Sequence, residues 1–360
     1  MKLIHTADLH LASKLESRFT KEQAKTRRNE LFETFRRLAD EAVRIGARAV
    51  LISGDVFDES RISRSMRGRF IDIVAQHPTV DFLCLAGNHD ESLAGEEGLP
   101  ENLVTFGEDW KCVSYDGTDV YGAELDADNC AILYTALRPD PARTNIVMLH
   151  GQVVQSNGTP DEHSVILPRL RDLSIDYLAL GHIHSYRCDK LDSRGVWCYS
   201  GCLEGRGYDE CGEKGYVLLE IDGREVKSSF VPFAKRTIHE VFCDLTGAER
   251  TIGIEERVLE AAKEIPEKDL VRMILTGRIP MDLQVRAEEL ESILKEKHFD
   301  AEVKKELKPI IYPEELRDLL SLKGEFIRTV SADPELTEEQ RDRVILCGLL
   351  ALQDEDLTDI

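Results

Sequence analysis

Short, unbroken apolar runs recur through the first half of the chain, and they constrain its fold more than any other feature. Four of them cover residues 49–52, 82–85, 146–149 and 177–180. Runs of this length are typical of strands that are buried on both faces, as in parallel sheets covered by helices. The sequence therefore predicts an α/β structure, and a hydrophobic content of 42% is enough for a sizeable core.

Helical patterns lie between the apolar runs. Thr20 and Gln23 fit a capping box, apolar residues then recur every three or four positions, and Gly46 closes the segment. A second pattern carries Met66 and ends before Pro78. Helices outside and sheets within indicate a layered α/β sandwich.

Two later stretches are rich in β-forming residues and turn signals. Asp116-Gly117 and Asp222-Gly223 are dipeptides that favour tight hairpins. Hairpins imply antiparallel pairs, so we expect the sheets to be mixed.

The pattern changes near residue 233, which predicts more than one domain in a chain of 360 residues. Residues 1–233 form the first predicted domain. Residues 234–310 follow a β-α-β-α-β order, which predicts a small α+β accessory domain. Residues 311–360 contain two amphipathic helical patterns, which predict C-terminal helices that either pack on their own domain or dock a partner.

The charge of the chain is strongly acidic overall and locally basic. A net charge of −22 argues against a protein that coats nucleic acid, because phosphate binding depends on Lys and Arg. Between Lys14 and Arg69, however, 14 basic residues face nine acidic ones. Four of the basic residues lie on the first predicted helix: Arg27, Arg28, Arg36 and Arg37. They form either a solvated, salt-bridged face or a local phosphate-facing patch.

Cysteine usage and hydropathy give an expectation about location. The nine cysteines include no CxxC pair, and the cluster of Cys198, Cys202 and Cys211 fits no common zinc template. No stretch approaches the ~20 apolar residues of a membrane span. We therefore expect reduced thiols in a cytoplasmic protein without a membrane segment.

Polar side chains that can bind metal ions follow five predicted strands, which are the four apolar runs and a strand-like run at residues 2–5. Because the carboxyl ends of parallel strands meet at one edge of a sheet, these side chains should share a crevice. Gly54, Gly87 and Gly181 are expected beside them, where the backbone turns sharply. The candidate residues are Asp8, His10, Asp55, Asn88, His89, Asp90, His150, His182 and His184.

The types of these side chains indicate the kind of metal centre. Carboxylate, amide and imidazole ligands without thiolate suit Mn²⁺, Fe or Zn²⁺. Asp8 and His10 are two residues apart, so on an extended strand both can reach one ion. His182 and His184 have the same spacing, but a bend after Gly181 could direct them to different ions. The seven candidate ligands are too many for one ion with an open position, which predicts two ions that share a carboxylate. They are Asp8, His10, Asp55, Asn88, His150, His182 and His184.

Each motif also has a structural interpretation when it stands alone. His150 after an apolar strand could be a core histidine, and the segment 87–90 could be a simple turn, since Gly, Asn and Asp favour turns. The occurrence of all the motifs in this order, each after a buried strand, favours the metal centre.

The motifs resemble those of the calcineurin-like metallophosphoesterases and, within them, the SbcD-type DNA repair exonucleases. The resemblance rests on Ala-Asp-Leu-His-Leu at 7–11, Ser-Gly-Asp-Val-Phe-Asp at 53–58, Gly-Asn-His-Asp at 87–90 and Gly-His-Ile-His at 181–184. It extends through residues 199–204 and 214–216 and covers about residues 1–233. It implies a four-layer α/β/β/α sandwich with a smaller C-terminal α+β domain.

The same resemblance implies roles for the candidate residues. Asp55 would bridge two divalent ions, most simply Mn²⁺, which can generate a bridging hydroxide near neutral pH. His89 would face the phosphate, with Asp90 orienting its imidazole. The first ion would be held by Asp8, His10, Asp55 and His184, and the second by Asp55, Asn88, His150 and His182.

The resemblance further implies DNA as substrate, an SbcC-like coiled-coil ATPase as partner, and a homodimer. Two alternatives stay open. The net charge of −22 would suit a small-substrate phosphoesterase that acts on a cyclic nucleotide or a phosphomonoester. The chain could also be a nuclease-like subunit that acts mainly through its ATPase partner.

Overall fold

Strands and helices alternate along the chain in the computed structural model, as the apolar runs predict. The described residues are 1–16, 19–58, 63–88, 90, 92–157, 161, 163–248, 251–280, 283–310 and 320–352. The strands are β1 (Lys2–Thr6), β2 (Ala49–Ser53), β3 (Asp81–Leu85), β4 (Leu103–Thr105), β5 (Lys111–Tyr115), β6 (Thr118–Gly122), β7 (Thr144–His150), β8 (Gln152–Val154), β9 (Ser164–Ile166), β10 (Tyr177–Gly181), β11 (Arg187–Lys190), β12 (Val196–Tyr199), β13 (Gly215–Asp222), β14 (Glu225–Pro232), β15 (Ile238–Asp244), β16 (Leu270–Pro280) and β17 (Asp300–Ile310). The helices are α1 (Lys21–Ile45), α2 (Arg64–Ala75), α3 (Leu133–Ala136), α4 (Thr251–Ala262), α5 (Ala287–Lys295), α6 (Leu322–Ser331) and α7 (Glu338–Ala351), with a 3₁₀ helix at Leu167–Arg169.

Two six-stranded mixed sheets form the centre of the first part of the chain. The first has the order β14-β13-β1-β2-β3-β4, and the second has the order β11-β12-β10-β7-β6-β5. The middle strands of both sheets are parallel, and the antiparallel pairs lie toward the edges. The carboxyl ends of the parallel strands of each sheet therefore lie at one edge.

Local signals in the sequence explain where these elements begin and end. Thr20 and Gln23 form the predicted capping box of α1, and Gly46 ends that helix with a φ of 67°. The hairpin between β5 and β6 turns through Asp116-Gly117, and β13 pairs with β14 so that Asp222 opposes Glu225. The predicted hairpins are confirmed.

Three apolar clusters divide the first part of the chain into layers. The first lies between the two sheets and contains Leu51, Met148 and Ala179. The second packs α1 and α2 on the outer face of the first sheet. The third covers the second sheet with α3, the 3₁₀ helix and their flanking loops. The predicted α/β/β/α arrangement is confirmed, although the fourth layer has only short helices.

The contacts of the chain separate two compact units. The first contains residues 1–239 and 268–270, and the second contains residues 240–267 and 271–360. In the second unit, a three-stranded sheet of order β15-β16-β17 shares an apolar core with α4 and α5. This succession has the predicted β-α-β-α-β order. The predicted boundaries near 233 and 310 remain predictions.

The last two helices of the second unit pack against each other. Ile327 and Val330 of α6 are buried with Ile345 and Leu349 of α7. Leu320 precedes α6 and is fully exposed, at 102% of its reference area. Among the described residues, no helix is both long enough and apolar enough to cross a membrane.

Candidate metal centre

The loops after β1, β2, β7 and β10 meet at one place between the two sheets. The backbone N–H groups of Asp8 and His10 donate to the carbonyls of Gly54 and Asp55, both at 3.0 Å. The N–H of His182 donates to Oδ1 of Asp8 at 2.8 Å. Side chains that are up to 174 residues apart in the sequence are thereby held in contact.

A first group of ligand atoms combines Asp8, His10 and His184. One atom from each lies within 4.8 Å of the other two. The Nε2 atoms of His10 and His184 are 3.1 Å apart. Two imidazoles with converging nitrogens beside a carboxylate can share one cation.

A second group combines Asp8, Asp55 and His150 with the same 4.8 Å limit. Oδ2 of Asp55 lies 3.8 Å from Nε2 of His10 and 3.5 Å from Nε2 of His150. The ring of His182 lies edge-on to His150, with centroids 5.5 Å apart. The Asp55 carboxylate thus lies between two pairs of histidines, one formed by His10 and His184 and the other by His150 and His182. Asp8 belongs to both ligand groups.

The loop after β3 contributes the remaining candidates. Asn88 is exposed, and its amide nitrogen contacts Nδ1 of His163. His89 lies outside the described residues. Asp90 accepts the backbone N–H groups of Val56 and Phe57, both at 2.7 Å, so it ties this loop to the loop after β2.

Backbone conformation at the centre is unusual for residues other than glycine. Asp8, His10, Asp55 and His182 have φ values of 51°, 43°, 52° and 101°. Such values are uncommon outside glycine, each costs about 1–3 kcal/mol, and they cluster at functional sites. The surrounding contacts therefore hold these side chains where the relaxed backbone would not.

The three glycines after the strands provide space. A Cβ atom on Gly87 would lie 2.1 Å from Oδ1 of Asp55, and one on Gly181 would lie 1.9 Å from the carbonyl of Ser53. A Cβ on Gly54 would lie 2.2 Å from Nδ1 of His150. Only Gly54 also needs a positive φ, at 91°. The expected role in turning is confirmed for Gly54, whereas Gly87 and Gly181 serve close packing.

Burial controls the protonation of Asp8, His10 and His182, whereas in His184 burial is outweighed by the hydrogen bond to Glu210 and the charge of Asp8, which raise the pKa. It raises the pKa of Asp8 to about 7, a rise that the nearby charges of His184 and Asp55 modify in opposite directions. Burial also lowers the pKa of His10 and of His182, which favours neutral imidazoles. Neutral imidazole is the form that binds metal ions.

Asp8 provides a direct test of whether the site fits a metal ion. Its Oδ2 atom is buried and accepts no hydrogen bond from any residue that the structure describes. A buried carboxylate oxygen without a partner is costly unless a cation compensates it. Together with the imidazole and carboxylate groups around it, this atom shows that the residues fit divalent metal ions.

A further layer of side chains, whose role was not predicted from the sequence, lies behind two of the histidines. Oδ1 of Asp58 is 3.0 Å from Nδ1 of His10, and Nδ1 of His184 donates to Oε1 of Glu210 at 2.7 Å. Arg206 pairs with both carboxylates. Asp58 belongs to the segment 53–58 that carries the resemblance, whereas no pattern marks Arg206 or Glu210.

The arginines of α1 are engaged within the protein. Arg27 is only 1% exposed. Arg27 pairs with Glu204, Arg28 with Glu16 and Arg36 with Asp40, and Arg37 lies over the ring of Phe233. These contacts favour the salt-bridged interpretation of the local basic excess over a phosphate-facing patch.

Known proteins resemble this chain in sequence. The protein named "Uncharacterized metallophosphoesterase YhaO" from Bacillus subtilis (strain 168) is 27% identical over 313 residues, which cover 78% of this chain and 72% of that protein. Two proteins named "DNA double-strand break repair protein Mre11" come from Methanosarcina acetivorans and Sulfolobus acidocaldarius and are 25% and 22% identical. Those alignments cover 74% and 81% of this chain, and 44% and 79% of those proteins.

A family match covers the part of the chain that builds the centre. Residues 1–186, just over half of the 360, match the family described as "Calcineurin-like phosphoesterase". This range contains every predicted ligand. The chain therefore belongs to the calcineurin-like phosphoesterases, and it is a phosphoester hydrolase that uses divalent metal ions.

Proposed function

We propose that this protein is a metal-dependent DNA nuclease, most simply a DNA repair exonuclease. The observation that carries the proposal is the pair of ligand groups that share Asp8, with the Asp55 carboxylate between two histidine pairs. The two relatives named as DNA double-strand break repair proteins support DNA as the substrate, because they align with 74% and 81% of this chain.

In this proposal Asp55 bridges two ions. Asp8, His10 and His184 complete the ligands of the first position, and Asn88, His150 and His182 complete those of the second. A bound pair of divalent ions supplies Lewis-acid activation of the phosphate and of the attacking water. Mn²⁺ suits these oxygen and nitrogen ligands.

The residues of the chain itself orient the reaction. Asp90 holds the loop that carries Asn88 against the loop after Asp55, through its two bonds to backbone N–H groups. His89 contacts the phosphate and protonates the leaving oxygen in this proposal. The His89→Ala variant should therefore keep its metal content and turn over ~10²–10⁴-fold more slowly. A fall in its metal content instead would show that His89 is a ligand.

The substrate is tested with purified protein, Mn²⁺ and end-labelled single-stranded and double-stranded DNA. The proposal expects cleavage that chelation of the metal abolishes and that Asp55→Asn removes. The position of the label in the products separates exonuclease from endonuclease activity. Intact DNA in every reaction, including those with a coiled-coil ATPase added, would refute the nuclease proposal.

A small-substrate phosphoesterase is the second candidate. The net charge of −22 and the internal engagement of the α1 arginines favour it, because DNA binding usually needs a basic track. Cyclic nucleotides, phosphomonoesters and DNA can be compared under one metal condition. A kcat/KM that is higher for a small substrate than for DNA would favour this candidate.

We also propose that the C-terminal helices dock an SbcC-like coiled-coil ATPase. Beside the buried contacts of α6 with α7, Val344 remains 39% exposed next to Phe326 and Leu336, which gives the pair an accessible apolar surface. A variant that ends at Pro313 should lose co-purification with the ATPase and keep hydrolysis of a small phosphodiester. Unchanged co-purification would remove this proposal.

A further inference from the structure

Two carboxylates stand behind the histidines of the first ligand group. His10 and His184 direct their Nε2 atoms toward each other, 3.1 Å apart, on the side of Asp8 and Asp55. Their Nδ1 atoms are directed away, toward Asp58 at 3.0 Å and Glu210 at 2.7 Å. A carboxylate behind a metal-binding imidazole fixes its tautomer and orientation and increases its basicity.

Arg206 joins these two carboxylates. One terminal nitrogen of its guanidinium donates to Oδ1 of Asp58 at 2.7 Å, and the other donates to Oε1 of Glu210 at 2.9 Å. The backbone N–H of Arg206 donates to Oε2 of Glu210 at 2.6 Å, so both oxygens of that carboxylate are engaged. The Arg206 side chain is only 17% exposed, which limits competition from water.

We propose that Arg206 is a positioning residue for the metal centre, acting through Asp58 and Glu210 on the imidazoles of His10 and His184. The inference rests on the metal centre of the proposed function and is independent of which phosphoester is the substrate. Arg206 also lies close to the ring of His184, with 3.3 Å between its Nη2 atom and Nδ1 of that histidine.

The arrangement needs the geometry of an arginine. Its rigid planar fork can bind two carboxylates in fixed directions, whereas a lysine ammonium is a single flexible point charge. A lysine at position 206 would keep the positive charge, yet it could not hold Asp58 and Glu210 together with the same geometry.

The histidine on the other side of the centre is supported differently. Nδ1 of His150 lies 2.9 Å from the backbone carbonyl of Ser53. That support comes from the main chain of β2 and does not involve Arg206. Loss of the guanidinium should therefore weaken the position of His10 and His184 more than the position of His150.

The test is a titration of metal-free protein with Mn²⁺ by calorimetry, with the visible spectrum of bound Co²⁺ as a second readout. Arg206→Lys should bind one of two metal equivalents ~10–100-fold more weakly, with an altered Co²⁺ spectrum. Arg194→Lys is the matched control. Arg194 is 20% exposed and makes two bonds to Asp176, at 2.9 and 2.7 Å, in the same unit. It should leave both metal equivalents and the spectrum unchanged.

Glu210→Gln provides a second variant, because it keeps the volume and removes the charge behind His184. It should weaken the same metal equivalent, and it carries the test if Arg206→Lys does not fold. Wild-type affinity in these variants, or equal weakening in Arg194→Lys, would overturn the inference. A wild-type protein that binds no metal pair would instead refute the proposed function, so the two failures are distinguishable.

Discussion

Two clusters of buried charges lie in the first unit of the protein, and they are built on opposite principles. The Arg27 cluster (Arg27, Glu30, Glu204 and Arg236) connects α1 to the segments around residues 204 and 236. The metal centre lies at the carboxyl ends of the strands. Both clusters remove carboxylates from water, which is costly unless the charges are compensated.

The Arg27 cluster compensates its own charges. Its two cations face two carboxylates, with Arg27 2.6 Å from Glu30 and 3.1 Å from Glu204. Glu204 also accepts the hydroxyl of Thr34 at 3.0 Å and the N–H of Lys235 at 2.7 Å. Although burial alone would raise it, the pKa of Glu30 is lowered by its bonds to Arg236 and the charge of Arg27.

The metal centre leaves its charges to be compensated from outside. Asp8 has an oxygen without a partner among the described residues, and burial raises its pKa to about 7. Asp58 and Glu210 are paired with Arg206, whereas the residues that the structure describes give Oδ2 of Asp8 no hydrogen bond. Burial and charge alone therefore do not mark a functional site in this protein. A buried charge that the protein does not compensate, together with a strained backbone, does mark one.

The largest expected effect is a loss of activity that occurs when the metal centre is changed and does not occur when the Arg27 cluster is changed. Asp55→Asn should reduce hydrolysis of a small phosphodiester by ~10³-fold or more, because loss of the carboxylate between the histidine pairs removes several kcal/mol of metal-dependent stabilisation. Glu204→Gln should leave the activity of the folded protein unchanged. Steady-state kinetics with measured metal content checks both variants. Full activity in Asp55→Asn would contradict the role of the bridge.

The second largest expected effect is on stability, and it concerns the Arg27 cluster. Glu204→Gln should lower the free energy of unfolding of the first unit by ~3 kcal/mol, because the buried Arg27 loses a charged partner. This is a large part of a typical stability of about 5–15 kcal/mol. Urea unfolding with an unchanged m-value measures it. A loss as small as that of Arg36→Ala, which breaks an exposed pair, would show that the Arg27 cluster is not structural.

Much of the fold and of the ligand set could be predicted from the sequence because both depend on local rules. The apolar runs specified the central strands, and parallel strands bring their carboxyl ends together, which placed Asp8, His10 and Asp55 in one crevice. Glycine spacing, capping and turn signals located the ends of α1 and the hairpins.

The supporting side chains depend on tertiary contacts that no local pattern encodes. Arg206 meets Asp58 across 148 residues, and the loop that carries Arg206 and Glu210, between β12 and β13, has no helix or strand to predict. Asp90 was expected to orient His89, which lies outside the described residues, and its contacts are with the backbone of Val56 and Phe57. An aspartate at position 90 can orient a histidine or bind backbone N–H groups, so the residue type alone did not distinguish these two roles.

A pH series should give opposite trends for the two clusters. The folded, metal-free protein keeps a proton on Asp8 up to about pH 7, whereas the unfolded chain loses it near pH 3.8. The contribution of Asp8 to metal-free stability therefore falls as the pH rises through this window. Mn²⁺ competes with that proton, so stabilisation by Mn²⁺ should grow by about 1.4 kcal/mol for each pH unit between roughly 5 and 7.

The Arg27 cluster changes in the other direction. The lowered pKa of Glu30 means that its stabilisation is present above the ordinary glutamate pKa and is lost as the pH falls through the folded value. A metal-free series below pH 4.5 measures the trend of Glu30, and thermal unfolding from pH 5 to 8, with and without Mn²⁺, measures that of Asp8. An equal shift in Tm on Mn²⁺ addition at both ends of this range would refute the competition with Asp8.

The smallest expected effect is also the sharpest test of the comparison. Asp8→Asn keeps the shape of the side chain and an oxygen that can accept the N–H of His182, and it removes a carboxylate that is unfavourable when ionised. The metal-free variant should therefore be more stable than the wild type at pH 8, by on the order of 1 kcal/mol, or about 2–4 °C in Tm. With Mn²⁺ the order should invert, because the wild type alone gains the full metal stabilisation. Removal of a functional residue is expected to stabilise the metal-free protein only where the fold leaves a charge for a ligand to compensate. If the metal-free Asp8→Asn protein is less stable than the wild type, Asp8 belongs with the structural carboxylates of the Arg27 cluster.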